Sequence, residues 1–338
     1  MSSNVTDLET LPTPIEIEGI TPSNFEEKIT NQYRPAVLKG FAKDWGIVKK
    51  AHQSDSDLIQ YLTSLAADKP VNLVNLPEAT KGRMSYSENL LGMNFKVEQS
   101  SLTHAMQTML HHQPEDKFCV QCISVKDYFP QLAAQLPNPL VPKSAPFIWL
   151  GNDITVPAHF DEANNIAVVA AGKRRFTLFP PEQIKNLYIG PLDYTPAGQP
   201  TSLVNLRSPD LVRFPNYPDA FAQALSVELA PGDAIFIPSP WWHHVESLSP
   251  FNVLINYWWS GNYVSSALPF PMLIHALQAF NAMSSGQKKA WQAMLEHYLF
   301  EQEYDPAAHI PNKARGILGT PSTSNQKSIH NWLASQIR

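Results

Sequence analysis

The sequence predicts a mainly β domain with flanking helices, whose strands form a sandwich or barrel such as a jelly roll. Short apolar runs recur between Phe118 and Trp259, and turn signals such as Pro180-Pro181 separate them. Thirty prolines against fourteen glycines favour stiff turns and short strands over long helices. After Gly261 the apolar residues recur at helical spacing instead. A β core followed by a helical C-terminal region is therefore expected.

The elements follow in order along the chain. Residues 1–14 are polar and acidic and are expected to form a flexible tail. One domain is expected over residues 15–260, and its core covers about 118–260. Before the core, helices are predicted over 23–29, 57–66 and 101–110, and strands over 35–40 and 71–76. Within the core, strands are predicted over 118–125, 147–150, 166–171, 176–179, 226–229, 234–237 and 251–258.

The C-terminal region, residues 261–338, is predicted to be helical. Two amphipathic stretches place their large apolar side chains on one face each. These are Leu273, Ile274, Leu277 and Phe280 in the first, and Trp291, Met294, Leu295, Tyr298 and Leu299 in the second. Each face either packs on its own domain or pairs with a second copy of the chain, since an apolar stripe alone does not name its partner. A homodimer through residues 265–305 is one of these two alternatives.

Composition and charge restrict the class of protein. The chain has 338 residues, of which 43% are hydrophobic and 16% charged, as in a globular protein with a substantial core. The formal net charge of −5 argues against a general nucleic-acid binder. The N-terminus has neither a basic nor an apolar leader region, and no apolar stretch is long enough to span a bilayer. We therefore expect a cytoplasmic protein without membrane or nucleic-acid partners.

The two cysteines, Cys119 and Cys122, form a CxxC pattern that suggests redox or zinc chemistry. No second CxxC is present to complete a zinc site. The surrounding residues are typical of a strand, in which positions three apart point to opposite faces. Two reduced thiols are therefore expected.

A metal site is indicated by His159-Phe160-Asp161. On an extended segment these two ligand types project to the same side and can meet one ion. A further histidine would complete the 2-His-1-carboxylate triad, which leaves open positions on a non-haem Fe(II). The candidates are His243 and His244, and on a strand only one of these neighbours can face the site. The residues alone leave that choice open.

Three segments resemble the signature of the Jumonji-C and cupin-like family of Fe(II)- and 2-oxoglutarate-dependent oxygenases. They cover residues 157–165, 172–181 and 231–258. The resemblance implies a double-stranded β-helix (cupin-like jelly-roll) core, with Fe(II), 2-oxoglutarate and dioxygen as cofactor and co-substrates. By position, His159, Asp161 and His243 correspond to the iron ligands. Asn165 and Asn256 correspond to residues of the metal and co-substrate pocket, and Trp258 to an aromatic residue near the iron.

The chain departs from that pattern in the co-substrate pocket. The family usually places lysine two residues after the glycine that matches Gly172, where this chain has Arg174. Arginine can bind a carboxylate through two parallel hydrogen bonds, so Arg174, with Lys173 beside it, is expected to bind 2-oxoglutarate. The alternative is a solvated basic turn over 173–175. An asparaginyl hydroxylase of the family has hydroxyl donors where this chain has Val156 and Cys119. Because these two donors are missing, Arg174 is expected to contribute more of the binding of 2-oxoglutarate.

The function implied is hydroxylation of a peptide side chain or a small amino-acid-like substrate, with release of succinate and CO2. The lack of a zinc-binding or histone-reader segment in the sequence favours hydroxylation over demethylation. Two alternatives stay open. One is a non-catalytic sensor that binds a metal or a 2-oxo acid, and the other is a cupin metal enzyme, such as a zinc or manganese isomerase, that does not use 2-oxoglutarate.

Overall fold

The computed structural model describes residues 6–111, 116–260, 268–319 and 323–336. The chain divides into two compact units, residues 1–260 and residues 261–338. Residues 1–5 of the predicted tail and 265–267 of the predicted dimerisation segment lie outside the described residues.

Two kinds of element build the first unit. Its strands are β1 (Ile15–Glu16), β2 (Ala36–Leu38), β3 (Pro70–Leu76), β4 (Lys96–Ser101), β5 (Lys117–Ser124), β6 (Pro146–Gly151), β7 (Thr155–His159), β8 (Asn164–Ala171), β9 (Arg174–Phe179), β10 (Leu225–Leu229), β11 (Ala234–Ile237), β12 (Trp242–Ser247) and β13 (Asn252–Trp259). Its helices are α1 (Phe25–Lys28), α2 (Gly46–Ala51), α3 (Asp55–Leu65), α4 (Leu102–His111), α5 (Val125–Tyr128), α6 (Pro130–Ala133) and α7 (Tyr217–Ala222).

The strands form two sheets. The larger has the order β1-β2-β11-β8-β13-β6-β5-β3-β4, and the smaller has the order β10-β9-β12-β7. All described pairings are antiparallel except that of β1 with β2. Antiparallel sheets that exchange strands far apart in sequence are the jelly-roll arrangement. The predicted fold class is therefore confirmed.

Apolar side chains fill several spaces around the sheets. Between the sheets lie buried residues of both, among them Ala167, Phe176 and Leu254. Helices α2, α3 and α4 cover the outer face of the large sheet with another apolar cluster. The segment between β9 and β10 covers the outer face of the small sheet. Because β8 is covered on both faces, its residues 165–171 are all buried, and residues 166–171 form a continuous apolar run rather than an alternating one.

Helix α3 shows how local sequence sets an element boundary. The Ser54 side chain accepts a hydrogen bond from the main-chain N–H of Asp57, which caps the first turn. Leu58, Ile59 and Leu62 then form its buried face.

The prediction of a flexible tail over residues 1–14 is wrong for its second half. Leu8 is fully buried under the outer face of the small sheet. The main-chain N–H of Ser226 donates to the carbonyl of Pro12, and the Glu9 carboxylate pairs with Arg175 and Arg207. Leu8 and Glu9 fix this segment, although its overall composition is polar.

The second unit is helical. Its helices are α8 (Pro269–Asn281), α9 (Ser285–Leu295) and α10 (Thr323–Gln336), and a π-helical turn (Glu296–Phe300) continues α9. A capping box between Ser284 and Gln287 begins α9. Leu277 of α8 and Trp291 and Met294 of α9 keep 46–50% of their surface exposed. None of the described helices is long and apolar enough to cross a membrane.

Candidate metal centre

Two neighbouring strands of the small sheet bring the candidate ligands together. His159 ends β7 and His243 lies in β12, and the two residues are directly paired in the register of these strands. Their ring centroids are 4.2 Å apart. Asp161 follows β7 by two residues, and its carboxylate lies 3.7 Å from Nε2 of His243. One potential ligand atom from each of the three residues lies within 4.8 Å of the others, so one ion could contact all three.

Alternation along β12 decides which histidine faces this site. His243 and Val245 point into the space between the sheets, while Trp242, His244 and Glu246 point to the outer face. His244 is 1% exposed, and burial lowers its pKa to about 3, so it is a neutral residue of the outer layer. The structure thus places His243 beside His159 and Asp161.

Main-chain carbonyls orient both imidazoles. Nδ1 of His159 lies 2.9 Å from the carbonyl oxygen of Pro157, and Nδ1 of His243 lies 3.1 Å from that of Trp241. A carbonyl can only accept, so each Nδ1 donates, and in a neutral ring Nε2 is then the nitrogen with the free lone pair. Burial, together with the neighbouring His243, lowers the pKa of His159, which keeps that ring neutral. Neutral imidazoles with free Nε2 atoms are the form that binds a divalent ion.

The Asp161 carboxylate is held by two donors. Nε1 of Trp258 donates to Oδ2 at 2.8 Å, and Nδ2 of Asn165 donates to the same oxygen at 3.1 Å. Asn165 in turn accepts from Nδ2 of Asn256 at 3.0 Å. Three residues that the sequence singled out near the site therefore form one hydrogen-bonded chain that orients the carboxylate.

The triad opens into a cavity of about 230 Å³ between the sheets. Its lining residues combine the three candidate ligands with apolar, aromatic and amide side chains: Cys122, Trp149, Val156, His159, Asp161, Asn165, Ala167, Arg174, Phe176, Ala197, Gly198, Gln199, His243, Val245, Leu254, Asn256 and Trp258. A small, largely apolar space with a few polar groups is typical of a site for a small molecule.

Arg174 provides the positive charge of this cavity. Its side chain is buried, with 5% of the residue exposed, and burial lowers its pKa to about 10, so it stays protonated at neutral pH. Among the residues that the structure describes, no carboxylate pairs with it, and its Nε has no hydrogen-bond partner. A buried, unpaired guanidinium is costly unless an anion accompanies it. The cavity therefore suits a carboxylate ligand.

The tight turn before β9 determines the direction in which the Arg174 side chain points. Gly172 has φ of +69°, and a Cβ on it would lie 2.7 Å from the carbonyl oxygen of Phe251, so glycine is required there. From this turn Arg174 and Phe176 point inward and Arg175 points outward, where it pairs with Glu9 and Glu228.

Lys173 does not reach the cavity. Its ammonium group is exposed and lies 3.3 Å from the carboxylate of Glu228. The prediction that Lys173 binds the co-substrate is wrong in this structure, because the turn at Gly172 leaves Lys173 on the surface.

The two cysteines of β5 have different surroundings. Cys119 is buried among Val74, Leu76, Met84 and Ile154, and burial raises its pKa to about 12. It is close enough to Arg174 for an electrostatic interaction but does not line the cavity. Val156 does line the cavity, as expected. Both cysteines are free thiols.

Cys122 is a cavity residue that the sequence did not indicate, and the loop residues 197–199 also line the cavity. The pairing of β5 with β6 shifts between Val120 and Ile123, and Cys122 has φ of +42° within this bulge. The bulge turns the Cys122 side chain toward the cavity. In a regular strand this position would not face the cavity. Residues 197–199 belong to an irregular loop without periodic signal.

The fold and the three candidate ligands together define a class of protein. A jelly roll with two histidines and one carboxylate converging in its interior is a cupin-type metal-binding domain. A family model described as "Cupin-like domain" matches residues 22–265, which is more than half of the chain. The chain belongs to this cupin-like, Jumonji-C-type family, and the resemblance found in the sequence is confirmed.

The chain is similar to several described proteins, with different identities and coverages. The chain is 26% identical over 283 residues to "Lysine-specific demethylase JMJ31" of Arabidopsis thaliana, covering 73% of this chain and 50% of that protein. It is 25% identical over 265 residues to "tRNA wybutosine-synthesizing protein 5" of Mus musculus, covering 74% of this chain and 78% of that protein. It is 38% identical over 113 residues to human "HSPB1-associated protein 1", covering 33% of this chain and 22% of that protein.

Thus the chain spans half or less of the human and Arabidopsis proteins that it matches. The Jumonji-C-type relatives point to an enzyme of the oxygenase or demethylase kind.

Proposed function

We propose that the protein is an Fe(II)- and 2-oxoglutarate-dependent oxygenase that hydroxylates a peptide side chain or a small amino-acid-like substrate, with release of succinate and CO2. His159, Asp161 and His243 would hold the metal, and Arg174 would bind the distal carboxylate of 2-oxoglutarate.

The single observation that supports this proposal most strongly is the unpaired, buried guanidinium of Arg174 in the cavity of the triad. A site that binds only a metal ion does not need a positively charged side chain in the same cavity. A dianionic 2-oxo acid does, because one end can chelate the metal while the other end pairs with arginine. The donor set also suits the ion, since two imidazoles and one carboxylate leave cis positions open for such chelation.

The residues around the triad have separate roles in this proposal. Trp258 and Asn165 hold the Asp161 carboxylate, so its orientation does not depend on the metal. Val156, Phe176 and Leu254 line the cavity with hydrocarbon, which limits water and strengthens the pairing of Arg174 with a carboxylate. When bound, Fe(II) and 2-oxoglutarate supply the activation of dioxygen and the oxidation of a substrate C–H bond.

The substrate and partners are part of the proposal. A peptide or a small molecule enters the cavity, and the net charge of −5 is the reason for proposing no nucleic-acid partner. We also propose a homodimer through the helices of residues 265–305, whose apolar residues Leu277, Trp291 and Met294 are exposed. N-demethylation is the second candidate reaction, because a relative similar over 73% of this chain is described as a lysine-specific demethylase.

The proposal is tested by oxygen consumption and succinate formation with metal-free protein that has been reconstituted with Fe(II) and given 2-oxoglutarate. Slow formation of succinate without an added substrate is expected, and it should stop when Zn(II) replaces Fe(II). A library of unmodified and lysine-methylated peptides would then separate hydroxylation, a gain of one oxygen atom by mass, from loss of a methyl group.

The alternatives give different results in this assay. A sensor would bind 2-oxoglutarate without forming succinate, with or without peptides. A cupin metal enzyme of another kind would neither bind 2-oxoglutarate nor consume oxygen. Either result would contradict the proposed function.

A further inference from the structure

The strands do not supply the whole wall of the cavity. Residues 190–201, here called the flap, form a loop whose residues Ala197, Gly198 and Gln199 line the cavity beside the triad. Loops at the mouth of a rigid β scaffold are where substrate selectivity resides. The way in which the flap is held therefore bears on which substrates can enter.

The base of the flap is tied to the strand that bears a candidate metal ligand. The main-chain N–H of Gly190 donates to the carbonyl of Thr201 at 2.9 Å, which closes the loop. The N–H of Ser202 donates at 2.8 Å to the carbonyl of Ala158, the residue before His159. The end of the flap and the start of the metal site are thus directly bonded.

Arg83 reinforces this junction from the other side. Its main chain forms an isolated bridge with Thr155 at the start of β7. Its Nη2 lies 3.2–3.3 Å from the carbonyl oxygens of Ser202, Leu203 and Val204. Among the described residues no carboxylate pairs with Arg83, and burial lowers its pKa to about 10. A partly buried cation that binds converging main-chain carbonyls fixes the course of the backbone.

The first part of the flap, residues 190–194, rests on the turn that follows Arg83. The Tyr86 hydroxyl donates to the carbonyl of Pro191 at 2.9 Å, and the Tyr194 hydroxyl donates to the carbonyl of Leu90. The two tyrosine rings pack edge to face with centroids 5.6 Å apart. A Cβ on Gly190 would lie 2.5 Å from the Tyr86 ring, so the flap approaches this turn as closely as a glycine allows.

We infer that Arg83 is a positioning residue that holds the flap as a preformed wall of the cavity, and that the flap limits the size of molecules that reach the metal site. The role in substrate selection rests on the proposed function. The positioning of the flap by Arg83 does not, and the experiment addresses it without iron, 2-oxoglutarate or turnover.

Hydrogen exchange of the full-length protein tests the positioning. In Arg83→Met, amides of residues 190–204 are expected to exchange about tenfold or more faster, while those of β8 and β13 stay unchanged. Arg213→Met is the matched control, because Arg213 is an exposed arginine that lies over the Phe214 ring. Unchanged exchange in the flap, or an equal increase throughout the domain, would overturn the inference.

Alkylation of Cys122 tests the limit on size. The chain has two cysteines; Cys119 is buried, whereas Cys122 is more exposed and lines the cavity. The ratio of the alkylation rate by a bulky maleimide to that by iodoacetamide therefore reports the width of the opening, independent of the thiol pKa. Arg83→Met should raise this ratio severalfold, and Arg213→Met should not.

Tyr194→Phe provides a second variant in case Arg83→Met does not fold. It removes the hydrogen bond from the Tyr194 hydroxyl to Leu90 while leaving the Arg83 contacts in place. It should raise the alkylation ratio without faster exchange at 202–204. A ratio equal to that of the wild type in both variants would overturn the inference. A protein that shows the expected exchange and alkylation but forms no succinate would contradict the proposed function alone.

Discussion

Replacing Arg174 with methionine separates the binding of a carboxylate from the stability of the fold. Methionine keeps an unbranched side chain of similar length and removes the charge. Truncating one partner of a buried, hydrogen-bonded charge pair costs about 2–5 kcal/mol of binding free energy. The affinity for 2-oxoglutarate should therefore fall by roughly 30-fold to several thousandfold.

The free energy of unfolding should change in the opposite direction. Burial lowers the pKa of Arg174 from 12.5 to about 10. Each pKa unit corresponds to about 1.4 kcal/mol, so the charged form costs on the order of 3 kcal/mol without an anion. Since the pKa in the folded state is the lower one, this cost is fully present below pH 10. Arg174→Met should therefore raise the free energy of unfolding at neutral pH by about 1–3 kcal/mol.

Anaerobic titration with 2-oxoglutarate, followed by the visible charge-transfer band of the Fe(II) protein, measures the affinity, and denaturant unfolding of metal-free protein measures stability. Arg175→Met is the matched control, because Arg175 is the next residue but pairs with Glu9 and Glu228 on the outer face. It should lower stability slightly and leave the affinity unchanged. If Arg174→Met binds 2-oxoglutarate as tightly as the wild type, the assignment of Arg174 to the distal carboxylate is wrong.

Three further outcomes are expected. Gly172→Ala should lower the free energy of unfolding by about 1–3 kcal/mol or more in denaturant, because φ is +69° and the added Cβ meets Phe251 and Asn252; equal stability would mean that the turn is not strained. Trp258→Phe removes the 2.8 Å hydrogen bond to Asp161 and should weaken the binding of a divalent ion about 10–100-fold, as measured by calorimetry. The control Trp259→Phe alters packing on Phe25 and Phe236 and should leave this affinity unchanged. Burial and the Asp161 charge raise the pKa of Cys122 to about 11, so its alkylation rate, followed by mass spectrometry, should rise about tenfold per pH unit from pH 7 to 10. An alkylation rate that reaches a plateau near pH 9 would contradict the raised pKa of Cys122.

Much of the core could be predicted because burial leaves a pattern in the sequence. Strands β8, β9, β11 and β13 are buried over most of their length, so each contains a run of largely apolar residues. Strand β4 was missed because it lies at the edge of the large sheet with exposed polar residues, so no apolar signal marks it. Short strand β7 was recognised only as an extended segment around His159.

The site divides in the same way. The spacing in His159-Phe160-Asp161 and the alternation of His243 and His244 follow from strand geometry, so these candidate ligands could be found from the residues. The choice of His243 over His244 depended on the resemblance to the family. Lys173 could not be rejected, because its orientation depends on the turn at Gly172, which is set by contacts with Phe251 and Asn252. The positions of Cys122 and of the flap depend on a bulge and on long-range contacts of Arg83, neither of which has a local sequence pattern.

The most direct test of the account adds Fe(II) and then 2-oxoglutarate to metal-free protein under strict anaerobic conditions and records the visible spectrum. We expect a metal-to-ligand charge-transfer band that requires both additions and is lost in His159→Ala. His244→Gln, a change to the neighbouring histidine of the outer face, should keep the band. Iron that binds to the wild-type protein without producing the band on addition of 2-oxoglutarate would contradict the chelation of this co-substrate at the triad.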